Sequence, residues 1–263
     1  MGVIGVFTKQ LDIALLNNDA DIAVHSLKDV PTQLAENLFL AGVLERGYSA
    51  DVLLTKNEKA LTDISVKTKV ATSSLRRKAQ WLSKYPHHLV VPIRGNVQTR
   101  LKKFQEDEAL QGVIFAKAGL DRLNILPKDS ITLDWMLPAP AQGIIGFIFR
   151  NNDEEMIEVC EKINHELSFI AGHIERQFLR TLLGGCSVPI SALAEINRNG
   201  IEFQGAVHSF DGKQCFAVHQ MMQVNEWENS GRISAEKLLE QVGAIELMEF
   251  IRNKKWGDED TFN

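Results

Sequence analysis

One unit occurs twice in succession between Lys69 and Lys103. Lys69-Val70-Ala71-Thr72 has the composition of a strand, Ser73-Ser74 can cap a helix, and Leu75 to Trp81 continue that helix. Leu89 to Ile93 then make a second strand-like run, Gly95-Asn96 a turn, and Val97 to Lys102 a second helix. Gly112 to Ala116 begins a third round, followed by Ala118 to Leu123. Strands that alternate with helices through short polar turns leave few folds open. The pattern predicts an α/β architecture with mainly parallel sheets.

The flanking sequence extends this reading. Residues 8–16 have helical spacing and Asn17-Asn18 stops them. Asp21 to His25 is a β-prone run that opens into Ser26-Leu27-Lys28-Asp29-Val30-Pro31, where Pro31 ends regular structure. Strand-like pieces between Leu38 and Leu54 surround Arg46-Gly47, a crossing point between domains. Pro138 to Gly143 reads as a stiff turn before a strand at 144–149, and helical patterns cover 154–165 and 169–183. From Val188 the pattern changes. Short strands at 191–196, 201–209 and 215–224 precede one helix over 234–252, which predicts a separate α+β C-terminal domain.

Charge is distributed unevenly. The 42 residues from Ile64 to Gln105 contain ten Lys or Arg and no Asp or Glu, whereas the other 221 carry 19 basic and 34 acidic side chains. A chain of net charge −5 thus concentrates positive charge in one segment, and its ligand is expected to be anionic. With 44% hydrophobic and 24% charged residues, disorder and fibrous folds are excluded. No apolar run is long enough to span a bilayer and no secretion signal is recognisable. Cys160, Cys186 and Cys215 match neither a disulfide framework nor a zinc pattern, so a cytoplasmic setting is expected.

Two helix starts carry the strongest chemical signal. Free N–H groups and the macrodipole favour an anion there, and arginine adds a planar fork. Thr72-Ser73-Ser74-Leu75-Arg76-Arg77 and Arg94-Gly95-Asn96 to Arg100 both combine these features. Ordinary caps on solvated helix faces explain either motif alone equally well, and the missing acids favour binding. Nucleic acid is disfavoured because the arginines sit at strand–helix junctions with few aromatics between them. Asp29 follows a strand and is a candidate acid/base or counter-charge to a cation, or else a plain turn residue beside Lys28. Cys186 follows Gly184-Gly185 and is either an accessible nucleophile or an ordinary loop cysteine. Cys160 and Cys215 read as core residues and His25 as a satisfied structural histidine. His87-His88 lacks partners for a metal, and no metal site is expected.

Together these pieces resemble the porphobilinogen deaminase family. The resemblance rests on Ala20 to Thr32, Ala71 to Arg77, Ile93 to Leu101, Ala118 to Leu123, Pro140 to Gly143, Glu175 to Arg180 and Gly184 to Ile190. It implies two periplasmic-binding-protein-like lobes around a cleft plus a small α+β domain. The divisions would be 1–46 with 142–164, 47–141 and 165–263. It also implies that the first lobe lacks its opening strand and helix.

The resemblance further implies an enzyme of tetrapyrrole formation, working as a cytoplasmic monomer on porphobilinogen, without nucleic acid or membrane. It implies a dipyrromethane cofactor in thioether linkage to Cys186 and Asp29 as the catalytic carboxylate. Ser26, Lys28, Thr72, Ser74, Arg76 and Arg77 would hold the cofactor, and Arg94, Arg100, Arg122 and Gln142 the substrate. The alternative is a non-catalytic anion-binding lobe protein or an inactive remnant of the family, which would need the arginines but neither Asp29 nor Cys186.

Overall fold

The computed structural model describes residues 6–58, 61, 63, 66–182 and 188–254. Helix α1 (Val6–Leu16) buries Leu15 and ends where Asn18 takes a left-handed conformation. Strands β1 (Ala23–Ser26), β2 (Leu38–Val43) and β8 (Ile145–Arg150) form a sheet in the order β1-β8-β2. Both pairings are antiparallel, with Ser26 opposite Ile145 and Phe39 opposite Phe149. The expected parallel arrangement therefore does not hold here, because the central strand returns from a distant part of the chain. Alternate residues of β8 are covered on both faces. Ile148 packs with Leu27 and Val43, while Phe147 and Phe149 pack with Cys160 of helix α5 (Glu154–Ile163). Burial on both sides explains why 144–149 is uniformly apolar.

The second sheet contains β3 (Asp51–Thr55), β4 (Lys69–Ala71), β5 (Leu89–Val91), β6 (Leu110–Ala116) and β7 (Ile131–Thr132), in the order β5-β4-β6-β3-β7. The repeated unit is responsible for its parallel half, since β4 runs parallel to both β5 and β6. Strand β3 is antiparallel to β6 and β7. Helices α2 (Leu75–Lys84), α3 (Val97–Glu106) and α4 (Lys117–Asp121) follow β4, β5 and β6. Ser74 Oγ accepts from the Arg77 N–H and Asn96 Oδ1 from the Thr99 N–H, the capping arrangement read from sequence. Adjacent residues point to separate cores: Val52, Leu54 and Phe115 to one, Leu53, Ile114 and Trp81 to the other.

Helix α6 (Glu166–Leu182) leads to the third sheet, an antiparallel meander of β9 (Ile190–Asn197), β10 (Gly200–His208) and β11 (Cys215–Met222). Phe178 and Phe203 meet edge to face at 5.2 Å in its core. The single helix expected over 234–252 is two, α7 (Trp227–Leu239) and α8 (Ala244–Asn253), because Gly243 adopts φ 92°. A Cβ at Gly231 would collide with the Ile174 carbonyl oxygen, so glycine permits α7 to lie directly on α6. Cys215 is exposed on the edge strand β11 and is not the core residue expected, whereas Cys160 is buried. Among the described residues, no helix is long and apolar enough to cross a membrane.

Candidate active site

The loop after β1 forms one 3-10 turn, Leu27–Asp29. Leu27 is fully buried, and its N–H donates to Ile144 O at 2.9 Å, tying the turn to the strand beside it. Arg176 of α6 holds the other end. Its guanidinium donates to the carbonyls of Val30 at 2.8 Å and Pro31 at 2.7 Å. Leu27 therefore faces the core while Asp29 is exposed and Lys28 half-buried. Both line a cavity of about 200 Å³ with Ser73, Ser74, Arg76 and Arg77 from the start of α2.

The missing counter-charge of the acid-free segment comes from outside it. Asp51, the first residue of β3, is fully buried. Arg77 donates to its Oδ1 from Nη2 at 2.8 Å and from Nε at 3.1 Å. Arg76 Nη2 lies 2.7 Å from Oδ2, as an ion pair and not an aligned hydrogen bond. Burial alone would raise the Asp51 carboxyl, but the two guanidiniums and the hydrogen bonds outweigh it and hold it well below the usual range.

The two arginines differ in what remains open. Nε, Nη1 and Nη2 of Arg77 all have protein partners, Ile114 O included. Arg76 spends Nη1 on Leu137 O at 2.8 Å, while its Nε is buried with no partner among the described residues. A buried N–H left without an acceptor in a cavity wall is a place for an anionic ligand.

Gln142 bridges the two lobes. It is 1% exposed, and its Nε2 donates to Ser49 O at 2.7 Å and to Asp51 Oδ1 at 2.9 Å. Its Oε1 accepts from Lys28 Nζ at 3.3 Å. A continuous chain thus runs from Lys28 through Gln142 and Asp51 to both arginines. Burial, reinforced by Arg77 and Arg76 against Asp29 and Asp51, lowers the Lys28 ammonium to about 8.

The other expected residues lie as follows. Arg100 is half-buried, and burial lowers it, with Arg77 acting in the same sense and Asp29 against. It is close enough to the aspartate turn to feel both charges. Arg94 is exposed. Arg122 does not line the cavity and donates to Gly143 O at 2.7 Å. Thr72 is buried and its Oγ1 accepts from Ser74 N–H at 3.2 Å. Ser26 is half-buried at the end of β1. Cys186 lies outside the described residues, but Leu179 and Val188, on either side of it in sequence, both line the cavity.

Lys78, on the same helix as Arg76 and Arg77, is 4% exposed. His25 is buried, and its Nε2 has no partner among the described residues, so the satisfied histidine expected is not found there. His88 is structural, accepting from Trp81 Nε1 at 3.2 Å.

The part played by Asp51, and the contacts made by Arg176 and by the pair Glu175 and Arg46, escaped the sequence reading. Glu175, fully buried, accepts from Arg46 at 2.8 and 2.6 Å, from Ala141 N–H at 2.6 Å and from Ala194 N–H at 2.7 Å. Two adjacent buried arginines do demand a carboxylate. Nothing local says which of 34 acids supplies it.

The family described as porphobilinogen deaminase, dipyromethane cofactor binding domain, matches residues 1–158. The corresponding C-terminal domain matches residues 169–240. The porphobilinogen deaminase of Syntrophomonas wolfei is 40% identical over 247 residues, covering 93% of this chain and 80% of its own length. That of Pelotomaculum thermopropionicum is 41% identical over 257 residues, covering 95% and 80%. Among solved structures, a probable amino-acid ABC transporter extracellular-binding protein of Bacillus subtilis superposes with a TM-score of 0.39 at 13% identity, covering 59% of this chain and 68% of its own. That last likeness is too weak to carry an argument. The domain match over more than half of the chain and the relatives near 40% identity along almost all of it establish that the chain belongs to the porphobilinogen deaminase family, enzymes of tetrapyrrole biosynthesis.

Proposed function

We propose that this chain deaminates four porphobilinogen molecules, joins them head to tail on a dipyrromethane primer bound to Cys186, and releases hydroxymethylbilane by hydrolysis. The observation that carries this reading is the shared cavity. Asp29 and Lys28 from one lobe meet Arg76 and Arg77 from the other, beside both ends of the segment that holds Cys186. The lining suits a pyrrole chain bearing acetate and propionate groups, since it is cationic and includes Arg76, whose buried Nε–H has no partner among the described residues.

Dipyrromethane, when bound, supplies the pyrrole carbon nucleophile on which the product grows. Asp29 is the catalytic carboxylate. Its negative charge accepts hydrogen bonds from pyrrole N–H groups and stabilises the cation left when the substrate's protonated amine departs as ammonia. The pyrrole nitrogen of the substrate provides the electron pair that expels the amine.

Arg76 and Arg77, with Ser26, Lys28, Thr72 and Ser74, hold cofactor carboxylates. Arg100 and Arg94 receive those of the substrate. Arg122 and Gln142 serve that site from behind, through Gly143 and Asp51. The burial of Arg76 and Arg77 suits a small carboxylate better than a nucleic-acid backbone. The presence of three separate sheets supports the divisions 1–46 with 142–164, 47–141 and 165–263.

The test is the intact mass of protein made in cells that supply porphobilinogen, together with turnover to hydroxymethylbilane. A covalent adduct lost in Cys186→Ser, and turnover abolished in Asp29→Asn with the adduct retained, are expected. An unmodified, inactive chain would reject the reading in favour of a non-catalytic anion binder.

A further inference from the structure

We infer that Asp51 is the positioning residue of the cleft, a buried carboxylate that holds Arg76 by an ion pair and Arg77 and, through Gln142, Lys28 by hydrogen bonds in one network spanning two sheets. The inference rests on the function proposed above and adds to it a residue that touches neither substrate nor cofactor.

Three features carry it. Asp51 sits on rigid backbone: it pairs with Ala116 across the sheet, and its carbonyl accepts from Leu133 N–H at 2.9 Å. Its carboxylate reaches groups of both lobes, Oδ1 serving Arg77 and Gln142 and Oδ2 facing Arg76. Its charge also fixes the electrostatic balance. Two guanidiniums against one carboxylate leave one positive charge in excess beside the cavity that Arg76 and Arg77 line. Without Asp51 the guanidiniums would repel each other in a site with little water to screen them.

Lys28 reports on the same network. The charges that face it are Asp29 and Asp51, which favour its ammonium, and Arg77 and Arg76, which oppose it. Removing Asp51 deletes one of its two supporting anions, so Lys28 should lose its proton at lower pH. A residue that merely filled space would not have that effect.

The experiment uses Asp51→Asn and Asp51→Glu in the full chain with its cofactor attached. The first readout is the pH dependence of Lys28 acetylation by acetic anhydride, followed by peptide mass spectrometry, which needs no turnover. The midpoint in the unsubstituted chain sets the reference. It should fall by about half a unit or more in Asp51→Asn and return to within about 0.3 units in Asp51→Glu.

The second readout is kcat/KM for porphobilinogen. It should fall ~10- to 100-fold in Asp51→Asn, mainly through KM, and ~10-fold in Asp51→Glu, whose extra methylene displaces the arginines. Asp51→Glu keeps the charge, so it carries the test even where Asp51→Asn fails to fold. An unmoved Lys28 midpoint in folded Asp51→Asn, or unchanged kcat/KM in folded Asp51→Glu, overturns the inference. An inactive unsubstituted chain would instead overturn the function proposed above, and the Lys28 midpoint would still decide the role of Asp51.

Discussion

Arg176 and Pro31 are joined by a 2.7 Å hydrogen bond from guanidinium to carbonyl, across 145 residues of sequence. With the bond to Val30 O it clamps the turn that presents Asp29 from the helix leading towards Cys186. Replacing Arg176 with alanine leaves the buried face of α6 unchanged but frees the turn. We expect kcat to fall by ~10- to 100-fold with the circular dichroism spectrum unaltered, because small displacements of a reacting group are costly. A variant with the original kcat would show that the turn holds its shape unaided.

Glu175 should matter for stability. Glu175→Gln leaves the Arg46 guanidinium without its counter-charge in a buried setting and weakens the bonds to Ala141 and Ala194. Loss of one partner of such a pair costs about 3–5 kcal/mol. Urea denaturation should give a correspondingly lower midpoint with an unchanged slope. A loss below about 1 kcal/mol would contradict the buried pairing.

His208 should make the protein acid-sensitive. Burial, reinforced by Arg76, lowers its imidazole from 6.5 to about 4. The unfolded chain therefore binds a proton between those values that the folded chain does not, so stability falls as pH drops from 6.5 towards 4. The contribution is about 3 kcal/mol as an upper bound, from a group 8% exposed. His208→Leu should flatten that part of the stability–pH curve. A curve of unchanged shape would remove His208 from the account.

The contact of α6 with α7 depends on Gly231. Gly231→Ala brings a methyl group against the Ile174 carbonyl and should destabilise by about 1–3 kcal/mol, read as a lowered Tm. If Tm rose instead, as helix propensity alone would predict, the two helices would have to separate without cost.

The parts of this architecture that were legible in sequence are local. The two strand–turn–helix units, their Ser74 and Asn96 caps and the turn at Lys28-Asp29 each depend on a few neighbouring residues. The antiparallel first sheet was not legible, because β8 pairs with strands more than 100 residues earlier and its doubly buried face carries no period. The break at Gly243 was overlooked because a helical pattern continues on either side of it. At the site, arginine-rich helix starts were visible but their division of labour was not. That each Arg77 nitrogen already has a protein acceptor while Arg76 Nε has none among the described residues depends on Asp51, Leu137 and Ile114, all distant in sequence. Gln142 looked like a ligand-binding amide, yet every polar atom of its side chain already has a protein partner.

The central position of β8 has a consequence for how the chain is made. During synthesis every strand of the second sheet, residues 51–132, is complete before β8 begins at Ile145. Among the described strands, β1 and β2 pair with nothing but β8. Emerging from the ribosome, they therefore wait for more than 100 residues with unsatisfied backbone while a neighbour folds between them. The inserted lobe is thus the natural first-folding unit. The half of the cleft that carries Asp29 takes shape only once the intervening half is already built.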